Sequence, residues 1–129
     1  MVKIDPLPFS QGTFRVCHKM MMRHRGTKEE APMVAKIFKQ EQAPEAYFNE
    51  AASQFLASSF TEHFNNTPSS PSGRSVKFLS VSVLKLHERE GAAVTAEPYL
   101  EGAYVKHNDN DGHVDTEDIV PQAFSHFTW

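Results

Sequence analysis

The apolar residues of this chain fall into segments of different period, and the changes of period mark its elements. From Gly12 to Met22 apolar and basic residues mix in a strand-like way, and Met33-Val34-Ala35-Lys36-Ile37-Phe38 is a short run of the kind strands use. Arg23 to Pro32 between them is polar and contains Gly26 and Pro32, which predicts an antiparallel hairpin with a mobile connection. Beyond Pro44, a residue suited to a first helical turn, Tyr47, Phe48, Ala51, Ala52, Phe55, Leu56 and Phe60 recur at helical spacing. Glu45, Asn49, Gln54 and Ser58 lie between them, so a long amphipathic helix with a core-facing stripe is predicted. It should end near Phe64-Asn65, because Thr67-Pro68-Ser69-Ser70-Pro71-Ser72-Gly73 is a run of turn formers that reads as an exposed loop.

Val76 to His87 is rich in β-branched and aromatic residues, Glu90-Gly91 can turn the chain, and Ala93 to Leu100 follows as a second extended segment. The apolar phase shifts at Val83-Leu84, which means either a bulge or a strand buried on both faces. Asn108 to Asp118 is acidic and loop-like, and Pro121 then opens a helix carrying Ala123, Phe124 and Phe127. Together these elements predict an α+β fold: a curved, mostly antiparallel sheet with one long amphipathic helix, followed by the start of a second lobe. We take residues 1–100 as the first lobe and 101–129 as the connector and the beginning of the second.

Composition narrows the class. The net charge of -3 arises from acids and bases mixed along the chain, with no basic run of the kind nucleic-acid contact needs. Cys17 is the single cysteine, so no internal disulfide forms, and a reducing compartment, by default the cytoplasm, is expected. No apolar stretch approaches the roughly 20 residues that cross a bilayer, and Lys3, Asp5, Pro6 and Pro8 interrupt any signal-peptide core. Neither a nucleic-acid nor a membrane partner is expected.

Lys36 is the residue that draws attention, because a charge in the middle of an apolar strand must reach water or meet an anion. Taken alone, it reads as a strand lysine turned to solvent. His126, in Ala-Phe-Ser-His-Phe, reads alone as a satisfied core histidine, and Arg15 as a surface arginine. Asp109, Asp111, Gly112 and Asp118 suggest a calcium loop only briefly, since His107 would occupy the first ligand position and Asp118 the place of a bidentate glutamate. A hydrogen-bonded, solvated turn accounts for them better.

Four blocks change these readings when taken in series. They are Pro8-Phe9-Ser10-Gln11-Gly12-Thr13-Phe14-Arg15, then Val34-Ala35-Lys36, then the stretch from Glu97-Pro98-Tyr99-Leu100-Glu101-Gly102 through Tyr104, Lys106, Asn108, Asn110 and Gly112, and last Gln122-Ala123-Phe124-Ser125-His126-Phe127-Thr128. In this order the chain resembles the alpha-kinase family, the atypical serine/threonine protein kinases, from about Pro6 to Trp129. The resemblance implies a kinase-like amino-terminal lobe that binds ATP with Mg2+ and serves transfer of the γ-phosphate to Ser or Thr of a protein substrate. It implies that Lys36 and Arg15 hold the phosphates, and that the Glu97 carbonyl and the Leu100 amide hold the adenine. It also implies that His126 ligates a structural zinc, with one histidine and two cysteines that this chain does not carry, so only in a full-length form. Glu50 is left as a partner for Lys36 on rough spacing.

The family's metal-binding aspartate, zinc module and late glycine-rich loop would all follow the last block. The chain is therefore expected to be inactive alone, either as a piece of a longer kinase or as a truncated relative. Phe124, Phe127 and Trp129 form an apolar end with no evident partner segment, which favours the piece. The competing class is a non-catalytic, β-rich interaction module.

Overall fold

A computed structural model describes residues 1–68, 74–109 and 111–128. Among the described residues six strands and two α-helices follow in the order β1 (Val2–Ile4), β2 (Ser10–Gln11), β3 (Arg15–Arg23), β4 (Glu30–Phe38), α1 (Pro44–Asn65), β5 (Ser82–Leu86), β6 (Ala92–Pro98) and α2 (Ile119–Thr128). Two compact units emerge, Met1–Phe55 with Leu79–Leu100, and Leu56–Phe78 with Glu101–Trp129. The units are not contiguous: the second takes the latter half of α1, which the sequence pattern kept within 1–100.

In the first unit all strand pairs are antiparallel, in the order β1-β3-β4-β6-β5, with β2 also on β3. Met20, Ala35, Leu86, Val94 and Ala96 form its buried core, joined by Val2 and Ile4 from one end of that order and Leu84 from the other. A single sheet can gather residues from both its edges into one cluster only by curling, which the right-handed twist of strands favours. The curved antiparallel sheet predicted from the pattern is what forms. β1 went unpredicted because three residues are too short to show a period. Pro6 and Pro8 have no N–H to donate, so pairing on β3 lapses between β1 and β2, while Asp5 N–H still donates to the Lys19 carbonyl at 2.9 Å.

Three expectations about elements need correction or refinement. Pro32 lies inside β4, paired with Met21, rather than in the connection. It sits just past Met33, where pairing with β6 ends at Pro98, so its missing N–H interrupts no central ladder. The extended run expected from Val76 is a strand only from Ser82. Before that, α1 supplies partners: Asn65 donates from Nδ2 to the Val76 carbonyl at 2.8 Å and accepts the Val76 N–H at 2.9 Å, while Gln54 donates to the Leu79 carbonyl at 3.3 Å. Between β5 and β6 the register from Ser82–Ala96 to Leu86–Ala92 is unbroken, so no bulge exists, and Val83 and Leu84 are each half-buried on opposite faces.

The stripe predicted for α1 also differs. Tyr47, Thr61 and Phe64 are buried and Gln54 half-buried, whereas Phe48, Phe55, Leu56 and Phe60 are exposed. Apolar residues occupy two opposite sides of this helix, and the buried side uses Gln54 and Asn65 for backbone bonds. Periodicity alone could not choose between the sides.

In the second unit Phe64 is fully buried. Its ring meets Phe124 edge-on at 5.4 Å and Phe127 at 5.5 Å, and Phe78 meets Phe124 at 5.8 Å. The apolar end that lacked a partner in the sequence is thus covered at Phe124 and Phe127. Trp129 and residues 69–73 of the expected loop lie outside the described residues. α2 begins two residues before Pro121 because Asp118 caps it, accepting the Val120 N–H at 3.1 Å.

Candidate functional site

Strand alternation sorts the sheet into a core face and a second face. Register places Arg15, Cys17 and Lys19 of β3 beside Phe38, Lys36 and Val34 of β4, and Lys36 and Val34 beside Thr95 and Glu97 of β6, all on the second face. Lys36 is not turned freely to water. Its Nζ lies 2.7 Å from Glu97 Oε1, with the two side chains 25% and 16% exposed. Glu97 is two residues beyond Thr95, the residue directly opposite Lys36, so the pair closes diagonally across one strand gap.

Arg15 occupies the far end of the same face. Gly12 N–H donates to the Arg15 carbonyl at 2.9 Å, closing a tight turn through Thr13 and Phe14 that delivers Arg15 to the start of β3. Its guanidinium meets Glu50 of α1 at 2.8 Å. The pairing of Glu50 with Lys36 suggested by spacing is therefore corrected: Glu50 serves Arg15, and Lys36 has a nearer carboxylate on the adjacent strand. Arg15 and Lys36 remain diagonal neighbours across β3 and β4, about 7–8 Å apart. A cleft of about 500 Å³, lined by Thr13, Phe14, Phe38, Lys39 and Glu50 among others, opens at the Arg15 end.

At the other end, β6 runs directly into Tyr99 and Leu100. Tyr99 is tied back by its N–H to the Pro32 carbonyl at 3.1 Å, and Leu100 is 64% exposed. Arg15 and Lys36, each matched by a carboxylate, thus lie on this face with Lys19, along a line that ends at a main-chain connector. Such a line is suited to an elongated polyanion bearing a flat apolar group. The side-chain role of Glu97 was missed from sequence. Its signal was present, because Lys36 and Glu97 are opposite charges in mostly apolar strands, but only the register brings them together.

The sequence model of the Alpha-kinase family matches residues 10–129. This chain belongs to the alpha-kinase family. It is 33% identical over 133 residues to myosin heavy chain kinase B of Dictyostelium discoideum, covering 100% of this chain and 18% of that protein. To the eukaryotic elongation factor 2 kinase of Homo sapiens it is 28% identical over 137 residues, with the same coverages. Among solved structures it matches a mutant catalytic domain of myosin heavy chain kinase A with a TM-score of 0.82 at 25% identity, over 98% of this chain and 64% of that one. It matches the inactive alpha-kinase domain of the same kinase in complex with ATP with a TM-score of 0.81 at 25% identity, over 98% and 65%. The alpha-kinase resemblance carried by the four sequence blocks and the α+β fold expected from the pattern of elements are both borne out. The chain spans under a fifth of these curated relatives and just under two thirds of these solved domains.

His126 is exposed on α2, and among the described residues no group of three or more His, Cys, Asp or Glu comes together to hold a metal. A closed zinc site needs about four ligands, so these residues do not fit one. The acidic loop is a turn, as expected. Asp109 Oδ1 accepts the N–H groups of Asp111 and His113, each at 2.9 Å, which lowers its pKa, the His113 bond acting most. Asp115 accepts from the Glu117 N–H and meets His107 Nδ1 at 2.9 Å, and its pKa is lowered for these reasons in that order. No described helix is long and apolar enough to cross a membrane.

Proposed function

We propose that this chain is the ATP-binding part of a protein serine/threonine kinase of the alpha type, acting in the cytoplasm on a protein substrate. The observation that supports this most directly is Lys36, held at 2.7 Å by Glu97 on the strand that leads into the Tyr99-Leu100 connector. Lys36 supplies a fixed cation for phosphate oxygens, and Arg15 a second along the same face. The Glu97 carbonyl and the Leu100 amide hold the adenine edge. Substitution at Leu100 acts through the shape of the surface offered to the base, since its contribution to hydrogen bonding is main-chain. Mg2+, when bound with ATP, neutralises phosphate charge that two carboxylate-matched cations leave unbalanced.

Turnover belongs to the complete kinase domain, of which the chain spans just under two thirds by comparison with the solved domains. The chain by itself binds nucleotide weakly and does not turn over. Calorimetric titration with Mg-ATP, run on the chain and on Lys36→Ala, tests the site. Binding is expected for the first and at least a tenfold loss for the second, about 1.4 kcal/mol. Identical titrations would remove Lys36 from the nucleotide site.

A further inference from the structure

Lys19 shares the site face with Lys36 but has a different partner. Among the described residues no carboxylate lies within ion-pair distance of it; its Nζ instead sits 5.6 Å from the ring centroid of Tyr99 and 6.0 Å from that of Phe9. The two rings meet edge to face, with centroids 6.2 Å apart and planes at 75°. These three residues come from separate places. Phe9 is fixed to β3 by its N–H on the Cys17 carbonyl at 3.0 Å, Lys19 lies within β3 opposite Val34, and Tyr99 follows the last residue of β6. Tyr99 stands between Glu97 and Leu100, the two residues assigned to the adenine edge.

We propose that Lys19, clasped to Phe9 and Tyr99, is a positioning residue that holds the connector in the conformation that receives a purine. The inference rests on the nucleotide reading for its purpose but not for its geometry. Past Pro98 the strand ladder ends, and among the described residues one backbone hydrogen bond, to Pro32, ties Tyr99 to β4. A cation over the faces of two aromatic rings adds a second tie. Because Lys19 reaches Tyr99 from the neighbourhood of the adenine end, its effect should fall on base recognition and leave phosphate contacts alone.

Two measurements on the chain, Lys19→Met and Lys19→Arg test this. The first is hydrogen exchange at the Tyr99 amide, which needs no ligand. The second is calorimetry with Mg-ATP and with Mg-tripolyphosphate, which has phosphates and no base. Lys19→Met keeps the apolar stem and loses the charge, so Tyr99 exchange is expected to rise about 2- to 5-fold and ATP affinity to fall by a similar factor. Tripolyphosphate affinity stays unchanged, and Lys19→Arg restores both values. Equal loss for tripolyphosphate would make Lys19 a phosphate contact and overturn the proposal. So would unchanged exchange in Lys19→Met, or an arginine variant that behaves like the methionine one. If the parent chain binds no ATP, the nucleotide reading fails while exchange at Tyr99 still decides whether the clasp orders the connector.

Discussion

The Glu97 carboxylate and the Lys36 ammonium meet at 2.7 Å on one face of the sheet, one strand apart and mostly shielded from water. Either group left alone there keeps its desolvation cost without its partner. Lys36→Met should therefore destabilise the fold more than the Lys36→Met/Glu97→Gln double variant does. A double-mutant cycle by urea unfolding should return a coupling of about 1–3 kcal/mol. Additive single effects would show that the pair is incidental.

Asn65 links the end of α1 to the backbone of Val76 through both the nitrogen and the oxygen of its side-chain amide. Replacement by alanine leaves a half-buried N–H and C=O without partners, at a cost of about 2 kcal/mol. Asn65→Asp can still accept from the N–H but turns a second acceptor toward the Val76 carbonyl, and should lose at least as much. Urea midpoints would rank the three proteins. A variant with alanine as stable as the parent would mean that water replaces the amide without penalty.

The same amide explains a limit of reading this chain from its residues. Composition made Val76 to Leu86 look uniformly strand-like, yet only Ser82–Leu86 finds a strand neighbour, and nothing local announces that α1 side chains serve the rest. The hairpin of β3 and β4, the extent of α1 and the placing of Lys36 in a strand followed from local pattern, because turn formers and period are local properties. The partners of Lys36 and Arg15 did not, since ion pairs depend on register and on where a helix settles. The buried side of α1 escaped for a third reason: Phe48, Phe55, Leu56 and Phe60 form as good a stripe as Tyr47, Thr61 and Phe64. Such ambiguity is resolved only by what packs against the helix.

Asp118 has two functions at the start of α2, accepting the Val120 N–H and pairing with Arg74 at 2.8 Å. The Arg74 side chain is 63% exposed, so the cap should dominate. Asp118→Ala should cost about 1 kcal/mol, whereas Asp118→Asn, which keeps a capping oxygen, should stay within about 0.5 kcal/mol of the parent. Equal losses in thermal or urea unfolding would assign the effect to the ion pair instead.

Acid should loosen the turn that follows the connector, and the lowered carboxyl pKa values fix the direction. Asp109 is held as a carboxylate chiefly by the His113 N–H, and Asp115 chiefly by the Glu117 N–H and then by His107. Both therefore titrate below the ordinary 3.8 in the folded loop. Their contribution is fully present above 3.8 and fades as pH falls through the lowered values, when protonation removes the acceptors. Amide chemical shifts of Asp111, His113 and Glu117, followed from about pH 6 to about pH 2, should move together with midpoints under 3.8. Asp109→Ala should abolish the titration at Asp111 and His113 and spare that at Glu117, because Asp115 holds Glu117 independently. Midpoints above 3.8 would mean that the amide bonds do not persist in solution.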